Sequence, residues 1–284
     1  MLRTLLILGR VSNLPTVWTN VLAGWFFSGG EWSWELLWIE IAVSLLYIAG
    51  MTLNDAFDAG WDRQHAPERP IPSGAISAGR VWMIGIGQMV AGVVLLLSTT
   101  SVEWFWAVAL MGAILLYDAI HKKTAFAVLA MGACRGLVYL LAGSAVNPEK
   151  LGWWWAIGSM IYVVGITVVA RSERKVTEGK GSVFSPVEAL LFVPFLAVWL
   201  AMPPDLFTKF IALVSMVPLG AWVARALVKK RKTGAIGPMV GALIAGMVLM
   251  DASFLFLTDA TGAALLAILL LPVTRLFQRH IPAT

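Results

Sequence analysis

Apolar runs of about twenty residues recur along the whole of this sequence, at 14–29, 36–57, 80–98, 104–120, 125–145, 153–170, 186–202, 207–228, 236–257 and 261–277. A run of that length is what a helix needs to cross the hydrocarbon core of a bilayer. The last two runs read either as a full pair of spans or as one span followed by a shorter re-entrant or tail helix. The expected fold is therefore all-α, a polytopic transmembrane bundle of nine or ten helices. No polar segment is long enough for a separate soluble domain, so residues 1–284 read as a single transmembrane domain.

Composition agrees with that reading. Only 13% of the residues are charged and 59% are hydrophobic, whereas soluble domains carry roughly a quarter charged residues. The opening "MLRTLLILGRVSNLPTVWTN" has an apolar character but no convincing small-residue cleavage site. It reads as mature sequence, an interfacial lead-in to the first span. The single cysteine, Cys134, excludes an intramolecular disulfide and a cysteine-based metal site, leaving helix packing as its expected role. A net charge of +5 raises nucleic acid as a partner. The bases lie in short clusters between apolar runs, as membrane topology requires, so no nucleic-acid partner is expected.

Loop charge sets the expected orientation. "DRQHAPERP", "HKK", "RSERKVTEGK", "RALVKKRK" and "TRLFQRH" follow alternate segments. The intervening loops, "SGGEWSWE", "TTSVE", "NPEKLG", "PPD" and "TDATG", hold Lys150 and little else that is basic. The positive-inside rule puts the first set, and the N-terminus, in the cytoplasm. Trp32, Trp34, Trp104, Trp106 and Trp153 to Trp155 gather on the other side, as interfacial aromatics do. The lipid bilayer is the expected surrounding, and a bacterial or archaeal inner membrane the expected location, with the site facing the cytoplasm.

Against this background "NDAFDAGWDRQHAPERPIPSG", residues 54–74, is anomalous. Asn54, Asp58 and Asp62 are spaced i, i+4, i+8 at the end of the second long span, and Asp55 joins the same face. At 1.5 Å per residue the stripe from Asp55 to Asp62 is roughly 10 Å long. Three carboxylates at a helix C-terminus repel one another and oppose the helix dipole, so a cation must offset them. Mg²⁺ prefers oxygen ligands and is commonly held by one or two carboxylates plus substrate phosphates. No His or Cys lies at helical spacing with these acids, which disfavours a transition metal. A solvated helix end is the simpler account, but four oxygen-bearing residues at coherent spacing beside an apolar zone favour a metal or substrate role.

This stretch resembles the first signature of the UbiA superfamily of intramembrane prenyltransferases. The pattern N-D-x-x-D-x-x-x-D is matched by Asn54, Asp55, Asp58 and Asp62, and "RPIPSG" matches the tail that follows it in many members. The resemblance implies a helical bundle around a central cavity open sideways to lipid. It further implies a polyprenyl diphosphate bound through Mg²⁺ and an acceptor, such as an aromatic ring, that is alkylated. Asp55, Asp58 and Asp62 would carry the catalysis and, with Asn54, hold the metal. Tyr117, Lys122 and Lys123 resemble the family's diphosphate-binding residues at the cytoplasmic end of the fourth helix, although topology anchoring explains the lysines equally well. Arg10 and Asn13 resemble polar positions before the first span. Arg69 is the cation nearest the stripe in sequence, suited either to substrate or to the loop. Arg135 lies within an apolar run, so leaving it unpaired is costly. It is expected to face the cavity or to pair with an acid such as Asp118.

The second family motif, D-x-x-x-A-x-x-D, is altered. "GITVVARSERKVTEGKG" keeps Ala170 and places Glu173 at the later acid, but Ile166 occupies the earlier one. Glu173 is then a lone candidate ligand, and Arg171, Arg174 and Lys175 are candidates for direct contact with diphosphate, although topology anchoring explains these cations equally well. The altered motif and the "ERPIPSG" wording also resemble the EboC-like branch. The leading expectation is a prenyltransferase. The alternative, prompted by the lost acid, is a non-catalytic carrier or binding protein for an isoprenoid or hydrophobic precursor. A transporter is disfavoured, because the acids lie at one membrane face rather than near its middle.

Overall fold

The computed structural model describes residues 1–173 and 186–283, and within them all ten apolar runs are helical. A short helix α1 (Leu2–Leu8) and a 3₁₀ turn (Val11–Asn13) lead into α2 (Leu14–Phe27). Then come α3 (Trp34–His65), α4 (Ala78–Thr99), α5 (Trp104–Ile120), α6 (Ala127–Ser144) and α7 (Trp153–Glu173). A 3₁₀ segment (Pro186–Phe192) precedes α8 (Val193–Ala201), α9 (Leu206–Ser215), α10 (Val217–Thr233), α11 (Ile236–Leu257) and α12 (Thr261–His280).

Among the described residues, seven helical stretches are long and apolar enough to cross a membrane, with α9 and α10 counted as one stretch of 28 residues. Helix α5 and the Glu188–Ala201 stretch are shorter apolar helices. The last two runs form a full-length pair, α11 and α12. The run expected at 207–228 is broken at Met216, because Pro218 in the first turn of α10 cannot complete the preceding ladder. The chain is thus an integral membrane protein by its helices. Its outward surface agrees: Met83, Ile86, Val90, Val94 and Leu97 form an exposed apolar stripe along α4, which only a lipid neighbour makes favourable.

Helices α2, α3, α5, α6, α7 and α11 surround the interior, with α4 outside against α3, and α8 to α10 forming an arc against α7 and α11. Helices α2 and α6 approach closely. A Cβ on Gly24 would sit 2.8 Å from the Tyr139 Cα, so only glycine lets these backbones meet. Helix α11 is the most enclosed of the long spans.

Helix α3 starts with Ser33, whose hydroxyl accepts from the Leu36 amide at 3.2 Å. Its 32 residues reach about 48 Å, beyond the roughly 30 Å hydrocarbon core. The helix length from Trp34 to Asp55 is about 32 Å, so the acidic turns lie at and past the far edge of the apolar layer. There the chain leaves the helix and folds back over it. Ile71 and Ile76 from the 66–77 loop are buried against Leu8 of α1, Ala56 and Ala59 of α3 and Val81 of α4. Gly74, at φ +74°, supplies the turn that a side-chain-bearing residue resists. The apolar anchor at Ile71 fixes Arg69, two residues earlier, above the acids.

Candidate active site

The last turns of α3 bury all three acids: Asp55 is 7%, Asp58 5% and Asp62 1% exposed. Carboxylates are almost never buried unless paired, and here the chain supplies the cations. Arg69 Nη1 lies 2.9 Å from Asp62, 3.7 Å from Asp55 and 3.8 Å from Asp58. One guanidinium therefore faces the whole stripe. Burial would lower the Arg69 pKa, yet the surrounding Asp55, Asp62 and Asp58 hold it above the usual guanidinium value. Lys122 Nζ reaches Asp58 at 2.8 Å and Asp62 at 3.3 Å and sits 3.8 Å over the Trp61 ring. His121 Nε2 is 3.1 Å from Asp58.

Arg10 also approaches the stripe, its Nη2 3.8 Å from Asp55. It sits in the left-handed region at φ 41° between α1 and the 3₁₀ turn. A non-glycine residue held there costs on the order of 1–2 kcal/mol, a conformation that the packing of α1 maintains. Asn54 donates to Asp118 Oδ1 at 3.0 Å. Through Arg10 and Asp118, which both line it, the acidic end borders a cavity of about 250 Å³. The depth of that cavity is apolar, walled by Val17, Val43, Leu46, Val138, Val163 and Met247. Tyr47 and Tyr117 add aromatic faces.

Most residues expected at the site are brought there, with three exceptions. Lys123 is exposed and forms no ion pair among the described residues. Arg171 donates to the backbone carbonyls of His121, Thr124 and Ala125, so its guanidinium ties α7 to the α5–α6 loop. Asn13 lines the cavity, but its amide is engaged by Ala283 O at 2.9 Å and by Gln278 at 3.1 Å. The Glu173 side chain, Arg174 and Lys175 lie outside the described residues. Ile166 is buried in the cavity wall, so the apolar replacement of the second motif's first acid faces the interior.

Arg135 also lines the cavity, and its expected partner Asp118 is not the one it uses. Its guanidinium turns to α2, donating to Thr16 O at 3.2 Å, Asn20 Oδ1 at 2.9 Å and Thr16 Oγ1 at 3.1 Å. Asn20 in turn donates to Asp251 Oδ2 at 2.7 Å. Thr19 at 2.5 Å and the Tyr139 hydroxyl complete the Asp251 carboxylate. Arg135 and Asp251 are thus balanced across one amide, in a buried polar knot joining α2, α6 and α11.

Sequence reasoning missed His121, Trp61 and Asp251. His121 opens the basic "HKK" loop, one residue before the named candidate Lys122. No histidine lies at helical spacing with these acids on α3; His121 reaches Asp58 from the C-terminal cap of α5 instead.

The donor set suits Mg²⁺ in kind, being carboxylate oxygen throughout. Asp55 Oδ1 is buried without a hydrogen-bond partner, an acceptor open to a cation. Among the described residues, however, no three His, Cys, Asp or Glu side chains converge on one ion position. Arg69 and Lys122 occupy the space between the acids instead.

Comparison with known proteins agrees with this architecture. The chain is 27% identical over 169 residues to a digeranylgeranylglyceryl phosphate synthase of Methanoregula boonei, a match spanning 58% of each chain. It is 24% identical over 205 residues to a 4-hydroxybenzoate octaprenyltransferase of Paracidovorax citrulli, covering 66% of this chain and 68% of that one. A solved structure of a digeranylgeranylglyceryl phosphate synthase superposes with a TM-score of 0.64 at 22% identity, over 91% of this chain and 99% of the other. The apo structure of a UbiA homolog from Aeropyrum pernix gives 0.52 at 16%, over 94% and 95%. At these identities the structural likeness speaks for the fold. The sequence profile of the UbiA prenyltransferase family matches residues 13–235, and the chain belongs to that family.

Proposed function

We propose that this protein transfers a polyprenyl group from its diphosphate to a small, hydrophobic or aromatic acceptor within the membrane. The observation that carries this reading is the buried acidic face at the rim of an apolar cavity, joined to it by Arg10 and by the Asn54–Asp118 hydrogen bond. A diphosphate and a hydrocarbon tail need those two environments side by side.

In this mechanism the allylic C–O bond breaks and the diphosphate leaves with the electron pair. Mg²⁺, held by carboxylates at the end of α3, would supply charge neutralisation to that leaving group. Arg69, Lys122 and Arg10 stand at the same end and add positive charge to the developing anion. The apolar walls accommodate the tail and exclude water from the allylic cation. The π faces of Tyr47 and Tyr117 stabilise that cation, which the acceptor then captures, releasing a proton.

The relatives' names, one containing a glyceryl phosphate and one a hydroxybenzoate, support prenyl transfer and differ in acceptor. Loop charge further supports a multi-pass protein of the inner membrane, residues 1–284 forming one transmembrane domain with the acidic end in the cytoplasm. The test is release of pyrophosphate and formation of prenylated product by purified protein with geranylgeranyl diphosphate, Mg²⁺ and an acceptor panel. Asp58→Asn should abolish both while leaving a monodisperse protein. Wild-type turnover by Asp58→Asn refutes the reading.

Ile166 in the cavity wall favours a second reading, a carrier that binds isoprenoid without transferring it. Tight, Mg²⁺-dependent binding of geranylgeranyl diphosphate, with no pyrophosphate released across the panel, would select it.

A further inference from the structure

We propose that the divalent cation accompanying the diphosphate is held by Asp118 of α5 together with Asp55 of α3, a pair that lies partly outside the family motif. The proposal rests on the diphosphate-dependent reading above and names the atoms that serve it.

The acid oxygens at this end divide into two kinds. Asp58 Oδ2 already faces His121 and Lys122, Asp62 Oδ1 faces Lys122, and Asp62 Oδ2 faces Arg69. A metal reaching those atoms must first displace a protein cation. Asp55 Oδ1 and Asp118 Oδ2 are different, because each is buried and neither has a hydrogen-bond partner. Arg10 and Arg69 stand off from Asp55 Oδ1 at 3.8 and 3.7 Å, too far for a hydrogen bond. Asp118 is 3% exposed and forms no ion pair among the described residues. A buried carboxylate oxygen left without a hydrogen-bond partner is costly for a protein to carry. A ligand that completes it is the direct physical account of its retention.

Position supports the pairing. Asn54, the chain neighbour of Asp55, donates to Asp118 Oδ1 and fixes the carboxylate so that its bare Oδ2 remains available. Asp118 lines the cavity, so a cation there sits at the rim where a diphosphate attached to a buried tail must end. Two carboxylates suffice for Mg²⁺, whose remaining positions go to water and phosphate oxygen. That accords with the lack of any three-acid cluster among the described residues. Across the same cavity, Ile166 offers no oxygen. Asp118 would thus supply from α5 what the altered motif on α7 lacks.

The test is binding of Mn²⁺, read by electron paramagnetic resonance, to the purified full chain in detergent with inorganic pyrophosphate. Asp118→Asn and Asp55→Asn should each weaken binding at least about tenfold, and Asp62→Asn should change it far less. A gain-of-function arm removes dependence on folding losses. In a Cys134→Ala background, which clears the native cavity thiol, Asp118→Cys should shift preference from Mn²⁺ toward Cd²⁺ by at least about tenfold, because thiolate is the softer ligand. Undiminished Mn²⁺ affinity in a folded Asp118→Asn, or no Cd²⁺ shift in Asp118→Cys, overturns the proposal. If Mn²⁺ binding is then lost in Asp58→Asn and Asp62→Asn, the prenyltransfer reading stands and only this assignment falls. If the wild type binds no Mn²⁺ with pyrophosphate, the metal-dependent reading and this proposal fail together.

Discussion

Arg69 Nη1 meets Asp62 Oδ2 at 2.9 Å, so the loop that leaves α3 returns its own cation to the last buried acid of that helix. The same nitrogen lies within 4 Å of Asp55 and Asp58. One side chain therefore compensates a stripe that helix geometry alone would make repulsive.

Arg69→Ala is expected to lower stability by about 1–2 kcal/mol, a value reduced from that of a fully buried pair because this guanidinium is partly solvated. Millimolar Mg²⁺ should raise the melting temperature of the variant more than that of the wild type, since the ion then meets acids left without their counter-charge. Thermal unfolding in detergent with and without Mg²⁺ checks this. Equal Mg²⁺ shifts in both proteins would count against the compensating role.

Asp251→Ala should cost about 2–4 kcal/mol, because Thr19, Asn20 and Tyr139 lose their common acceptor inside the bundle. Asp251→Asn keeps one acceptor oxygen and should fall between. Pairing either change with Arg135→Met in a double-mutant cycle should give strongly non-additive losses. Additive losses would mean that the Asn20 bridge does not couple the two charges.

Gly24→Val should destabilise the protein by more than about 3 kcal/mol, through overpacking at the α2–α6 crossing. Gly60→Ala, where an added Cβ meets open space, is the control and should be nearly neutral. Melting temperatures of the two variants in one detergent provide the comparison.

Val138→Phe fills part of the cavity floor and should disfavour long isoprenoids. The ratio of kcat/KM for geranylgeranyl over geranyl diphosphate should drop by about tenfold or more. An unchanged ratio would place the tail elsewhere.

Legibility in the sequence followed range. The apolar runs reported their helices because burial in lipid is a local property of some twenty consecutive residues, but the break at Met216 was missed, although Pro218 sits beside it. The α3 acids were legible because helical spacing is local too. What stayed hidden depends on the tertiary path: His121 meets Asp58 across 63 positions and Asn20 meets Asp251 across 231. Arg171 shows where the sequence left two readings open. Its place in a basic run suggested phosphate, whereas three nearby carbonyls, set by the end of α5, take its donors.

The internal cations around the α3 acids bear on how the molecule is made. A site whose carboxylates needed an ion to be tolerable would leave the nascent helix hairpin unstable until that ion arrived. Here Arg69, only seven residues after Asp62, accompanies the acids from synthesis onward, and Lys122 joins them once α5 has been made. Insertion and folding can therefore finish in an ion-poor environment, and loading becomes a later, reversible event.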